Sequence, residues 1–205
     1  KAGQDLIKMI VEISKQPRFI GKIVFVPNYD ITVAKYLVQG VDVWMNNPTR
    51  PLEASGTSGE KAAMNGVMHF SVLDGWWVEG YKQGAGWALP MERTYDDQNY
   101  QDELDAATIY NIIENEIAPT FYNKSLSTGR STDWIEYIKN CVAQVACNFT
   151  TNRMLTDYIN QYYVPQAKRY DSVTADDYAQ AHEIAAWKKR LRREWKNVEV
   201  VSVVA

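Results

Sequence analysis

The stretch Glu53-Ala54-Ser55-Gly56-Thr57-Ser58-Gly59-Glu60-Lys61 packs three hydroxyl residues and two glycines into nine positions and ends in a lone lysine. Lys61-Ala62-Ala63-Met64-Asn65 then reads as the first turns of a helix. A small-residue loop entering a helix offers free backbone N–H groups and the positive end of the helix dipole. That combination is an anion site, most often one for phosphate. A lysine there serves as a counter-charge to phosphate, or as the covalent tether of an aldehyde cofactor that carries its own phosphate. Residue chemistry alone leaves both uses open.

Outward from this loop, short apolar runs alternate with helical patterns. Leu6, Ile7, Met9, Ile10 and Ile13 recur at helical spacing and predict a helix ending before Pro17. Residues 22–26, Lys22-Ile23-Val24-Phe25-Val26, read as a buried parallel strand, and 31–38 as a helix stopped near Gly40. Residues 41–45 and 69–73 read as two further strands. Such alternation predicts an α/β fold: a partial doubly wound, Rossmann-like parallel sheet followed by a helical C-terminal part. The loop leaves a strand and enters a helix, where ligands of such sheets gather.

Beyond residue 95 the pattern is helical, with candidates at 101–116, 131–147 and 150–162. A linker is expected at Tyr170-Asp171-Ser172-Val173, then a helix over 174–196. Residues 198–205 alternate like a strand. The domain expectation is therefore three parts. Residues 1–95 form the α/β segment with the motif, 96–170 a helical part of the same domain, and 171–205 the incomplete start of an extension. The chain opens directly in a helix without an initiator methionine, and an unpaired terminal strand is a liability; both read as a fragment.

Composition narrows the class. Apolar residues at 46% argue against a disordered chain, and a net charge of −3 gives no electrostatic case for nucleic acid. No apolar run approaches the roughly 18 residues that a membrane helix needs. Cys141 and Cys147 read as reduced core thiols, which suits the cytoplasm. His69 in a strand-like run and His182 on a polar helix lack cysteine or carboxylate neighbours at ligand spacing, so no metal site is expected. The run 188–193, flanked by Trp187 and Trp195, reads as a solvated basic face. Trp76, Trp77 and Trp87 could stack on sugar but read first as packing.

The loop from Glu53 to Lys61, followed by Asn65-Gly66 and Leu73-Asp74-Gly75, resembles the pyridoxal-phosphate segment of the α-glucan (glycogen, starch or maltodextrin) phosphorylases. Phe25-Val26-Pro27-Asn28-Tyr29 fits the same family. Trp76-Trp77-Val78-Glu79-Gly80-Tyr81 and the segment from Asn152-Arg153-Met154 to Tyr162-Tyr163-Val164-Pro165 resemble its shorter, prokaryotic branch. One position departs: Glu60 stands where the better-known enzymes carry methionine.

The resemblance implies a glycosyltransferase that uses pyridoxal 5′-phosphate. It moves a glucosyl unit from the non-reducing end of an α-1,4-glucan or maltodextrin to inorganic phosphate, giving glucose 1-phosphate. It implies Lys61 as the cofactor tether, and Thr57, Ser58, Gly59 and Tyr29 around the cofactor. Glu53, Ser55 and Gly56 are implied on the glucosyl unit, with Lys61 and Glu53 as the catalytic pair. It also implies an N-terminal domain completing the cleft and a homodimer in full-length members. Each residue has a plainer use: solvated lysine for Lys61, helix cap for Thr57, surface carboxylate for Glu53, packing aromatic for Tyr29. Two other classes compete, a nucleotide-sugar glucosyltransferase of the same two-domain architecture and a non-catalytic phosphate- or sugar-binding module.

Overall fold

The computed structural model describes residues 2–49, 56–90 and 95–203. Strands β1 (Val43–Asn46), β2 (Met68–Val72) and β3 (Trp87–Leu89) form one parallel sheet in the order β1-β2-β3. Val43 pairs with Met68, and Phe70 with Trp87. Parallel neighbours need crossovers, and short helices supply them here: α3 (Ser58–Met64) between β1 and β2, α4 (Gly75–Gly80) between β2 and β3. All five residues of β2 are buried, as expected of a strand covered on both faces. The expected α/β class with a helix-rich remainder is observed.

Before the sheet come α1 (Ala2–Ser14) and α2 (Ile31–Gly40). Asp30 caps α2 by accepting the Val33 N–H at 2.9 Å. After it come α5 (Gln98–Ile112), a π turn Ile113–Ile117, α6 (Ala118–Tyr122) and α7 (Thr132–Asn140). A second π turn, Cys141–Val145, follows α7 and ends in a 3₁₀ turn, Ala146–Asn148. These elements belong to the first of two compact units, Lys1–Asn148.

The second unit, Phe149–Ala205, holds α8 (Thr151–Tyr158), a π turn Ile159–Tyr163 and α9 (Val164–Glu194). None of its described residues is buried. No helix among the described residues is long and apolar enough to cross a membrane.

Several expectations need correction. Residues 22–26 form no strand, and Val24 is 73% exposed. An apolar run becomes a strand only beside a partner ladder, and none of the described strands lies against it. Residues 198–203 likewise lack strand pairing, for the same reason. The linker expected at 170–173 is helical; the break in α9 lies at Ala175–Tyr178, where Asp176, Asp177 and Tyr178 take positive φ. Cys141 is a buried thiol, but Cys147 is exposed and bonds the Ala143 carbonyl of its own turn. β3 carried no strand signal in the sequence, because three residues are too few for a period.

Candidate anion and cofactor site

Lys61 is exposed on α3, four residues after Thr57, which precedes the helix. The helix forms here because Ala62 and Ala63 are strong helix formers with small side chains that bury completely. Its end is fixed by Asn65, whose side-chain amide donates to the Lys61 carbonyl at 2.7 Å. On its inner side α3 lies against β1, β2 and the π turn Cys141–Val145. Buried Cys141 donates to the Ala63 carbonyl at 3.7 Å, and burial pushes that thiol up to about 11. The lysine thus stands on the outer face of a helix whose inner face is locked to the sheet.

Thr57 is exposed and makes no capping bond with its side chain, so its hydroxyl is uncommitted to the helix. The Ser58 hydroxyl is engaged: it accepts the Trp44 indole N–H at 3.1 Å, tying the start of α3 to β1. What Ser58 and Gly59 offer a ligand is therefore their backbone N–H groups, which a first helical turn leaves without intrahelical acceptors. Glu60 is half-buried; desolvation raises its carboxyl above the ordinary range, partly opposed by the Lys61 charge.

Gly59 has a reason to be glycine that the sequence did not reveal. A Cβ there would lie 2.6 Å from Nε2 and 2.8 Å from Nδ1 of His69, with Cε1 closer still. His69 is buried on β2, stacked on Trp76 at 5.1 Å and meeting Trp77 edge-on at 4.8 Å. Neither ring nitrogen has a partner within hydrogen-bond geometry. Burial pushes its pKa down to about 4, weakly opposed by the nearby Trp44 backbone, so the ring is neutral. Sequence reading treated His69 as a plain strand residue. The only available signal was the glycine two turns upstream, which does not name its partner.

Gly56 is different: a Cβ would meet Asn46 Nδ2 and Ser58 Oγ at 3.8 Å, ordinary contact, so packing does not demand glycine there. Tyr29 lies in the loop before α2, 58% exposed, beside Asn28 at positive φ. Glu53 and Ser55 lie outside the described residues. The tryptophans prove to be packing residues: Trp77 and Trp87 are buried, and the Trp77 indole donates to the Trp87 carbonyl at 3.0 Å. Among the described residues, no group of three or more His, Cys, Asp or Glu is arranged to hold a metal.

Residues 3–87 match a family model described as carbohydrate phosphorylase. The chain is 38% identical over 204 residues to a maltodextrin phosphorylase of Thermococcus litoralis, covering 100% of this chain and 24% of that protein. It is 36% identical over 201 residues to a glycogen phosphorylase of Mycobacterium bovis, covering 98% and 23%. A glycogen phosphorylase of Aquifex aeolicus is 48% identical over 161 residues, covering 78% and 23%. The chain spans about a quarter of the length of the curated relatives it matches.

Proposed function

From the premise that this chain is a relative of the carbohydrate phosphorylases, we propose that it is the cofactor-bearing portion of a glucan phosphorylase. The whole enzyme would transfer a glucosyl unit from the non-reducing end of an α-1,4-glucan, maltodextrin included, to inorganic phosphate. The product is glucose 1-phosphate. The observation that carries this reading is Lys61, exposed on α3 just past the uncommitted Thr57 hydroxyl, in a loop that follows a parallel strand.

These residues fit pyridoxal 5′-phosphate. Lys61 would tether its aldehyde. Thr57 Oγ and the N–H groups of Ser58 and Gly59 would donate to its phosphate at the positive end of α3. Tyr29 would line the ring's surroundings. When bound, the cofactor supplies a phosphate that gives and takes a proton beside the substrate phosphate. Glu53 would accept hydrogen bonds from glucosyl hydroxyls, with Ser55 and the Gly56 backbone alongside; the open space at Gly56 suits a close ligand approach. The Trp44–Ser58 bond and the Gly59–His69 contact hold the first turn rigid, so these donors need not reorganise when charge develops.

The test is chemical. The chain is incubated with pyridoxal phosphate and reduced with borohydride, and its peptides are weighed. A reduced adduct on the Lys61 peptide, lost in Lys61→Ala, is expected. A nucleotide-sugar transferase or a plain binding module would give no adduct, and an adduct on other lysines alone would overturn the assignment.

A further inference from the structure

A cavity of about 310 Å³ opens over the carboxyl ends of all three strands, next to the residues that follow β1. Its floor is apolar, made by Val72 at the end of β2, Leu89 at the end of β3, and Ile109 of α5. Its polar wall is one face of α5, with Gln98, Gln101, Asp102 and Asp105; Tyr95 stands at the rim. The geometry points to a carbohydrate-binding site for one neutral hexosyl unit. This goes beyond the phosphorolysis reading, because it uses none of the residues assigned to cofactor or phosphate.

Four features select that ligand class. The place is right, since open parallel sheets bind ligands outside the carboxyl ends of their strands. The volume lies at the lower end of the roughly 300–1,000 Å³ typical of small-molecule sites, enough for a single ring. The lining contains no lysine, arginine or histidine but two carboxylates, which repels phosphates and sugar phosphates. Sugars present hydroxyls around their edge and C–H groups on their faces, which matches acceptors along a wall above an apolar floor.

The polar groups are also held in place. Gln98 Nε2 donates to Asp102 Oδ1 at 2.6 Å, and Gln101 Nε2 donates to Asp105 Oδ1 at 2.8 Å. The Tyr95 N–H donates to Gln101 Oε1 at 3.2 Å. Each carboxylate accepts these bonds with one oxygen and keeps further lone pairs for hydroxyl donors. The side-chain entropy of ordering the wall is thereby partly spent before a ligand arrives. Two carboxylates alone are too few ligands for a hard divalent cation, which takes six or more oxygens.

The experiment is an NMR titration of the ¹⁵N-labelled chain with glucose and with maltose, at low and at 0.5 M salt (a concentration that screens surface charge). Saturable shifts confined to 47–49, 72, 89 and 95–109, insensitive to salt, are expected. Asp102→Asn with Asp105→Asn should weaken binding about tenfold or more. Ile109→Trp, which fills the floor, should abolish it in a chain whose spectrum stays folded. Lys61→Ala should bind sugar normally, so loss of the cofactor reading would leave this result intact. No saturable shift with either sugar, shifts scattered elsewhere, or binding unchanged in both variants would overturn the proposal. So would salt-sensitive binding of spermidine at these residues with none of glucose, which would identify an organic-cation site instead.

Discussion

At the scale of single residues, the contact between Gly59 and His69 governs how the motif loop is held. The imidazole cannot retreat from an added methyl group, because Trp76 stacks on it and Trp77 meets it edge-on. Gly59→Ala should therefore cost about 1–3 kcal/mol, the usual cost of overpacking, seen as a lower thermal midpoint. His69 adds a pH dependence whose sign follows from its depressed pKa. Between about 4 and 6.5 the unfolded chain binds a proton that the folded ring refuses. Stability is full above 6.5 and falls as pH drops towards 4, by about 3 kcal/mol in all at 1.36 kcal/mol per pKa unit. Urea midpoints at pH 7 and 4.5 measure this, and His69→Leu should flatten the slope in that window.

At the scale of elements, helix junctions carry the organisation of the first unit. Ser131 is buried, donates its hydroxyl to the Thr120 carbonyl at 2.6 Å, and accepts the Trp134 N–H at 3.1 Å. One side chain thus ends α6 and starts α7. Ser131→Ala removes both bonds and should cost about 1–2 kcal/mol by chemical denaturation. The junction matters because α7 delivers Trp134 and Tyr137 to the Trp87 ring of β3, at 5.7 and 4.6 Å. Beyond α7, the π turn widens the helix enough that Cys141 and Val145, four apart, both point inward and bury.

At the scale of the whole molecule, burial is uneven. Phe70, Met68 and Ala62 are fully buried, whereas no described residue after 148 is. Amide exchange should therefore be slowest in β2 and α3, and orders of magnitude faster along α8 and α9. Comparable protection in both units would contradict this. Catalysis is also a property of more than these residues. Phosphorolysis brings two phosphates together, and two dianions in contact repel strongly unless cations and a dry cleft offset them. The purified chain, with pyridoxal phosphate, maltodextrin and phosphate added, is expected to release no glucose 1-phosphate above background. Sustained turnover would show that the chain is self-sufficient.

The sequence by itself determined the local chemistry: a small-residue loop entering a helix at Lys61, the Asp30 cap, and the strand–helix alternation of residues 41–73. These are readable because propensity, capping and periodicity act between near neighbours. It also over-read residues 22–26 and 198–205, whose apolar character makes a strand only where a partner ladder exists. Tertiary structure alone decided the rest. It brought His69 under Gly59, engaged the Ser58 hydroxyl with Trp44, set Trp87 against Trp134 and Tyr137, and opened a cavity between the strand ends and α5. Each joins residues ten or more positions apart, and no local pattern encodes which distant side chain will fill a given space.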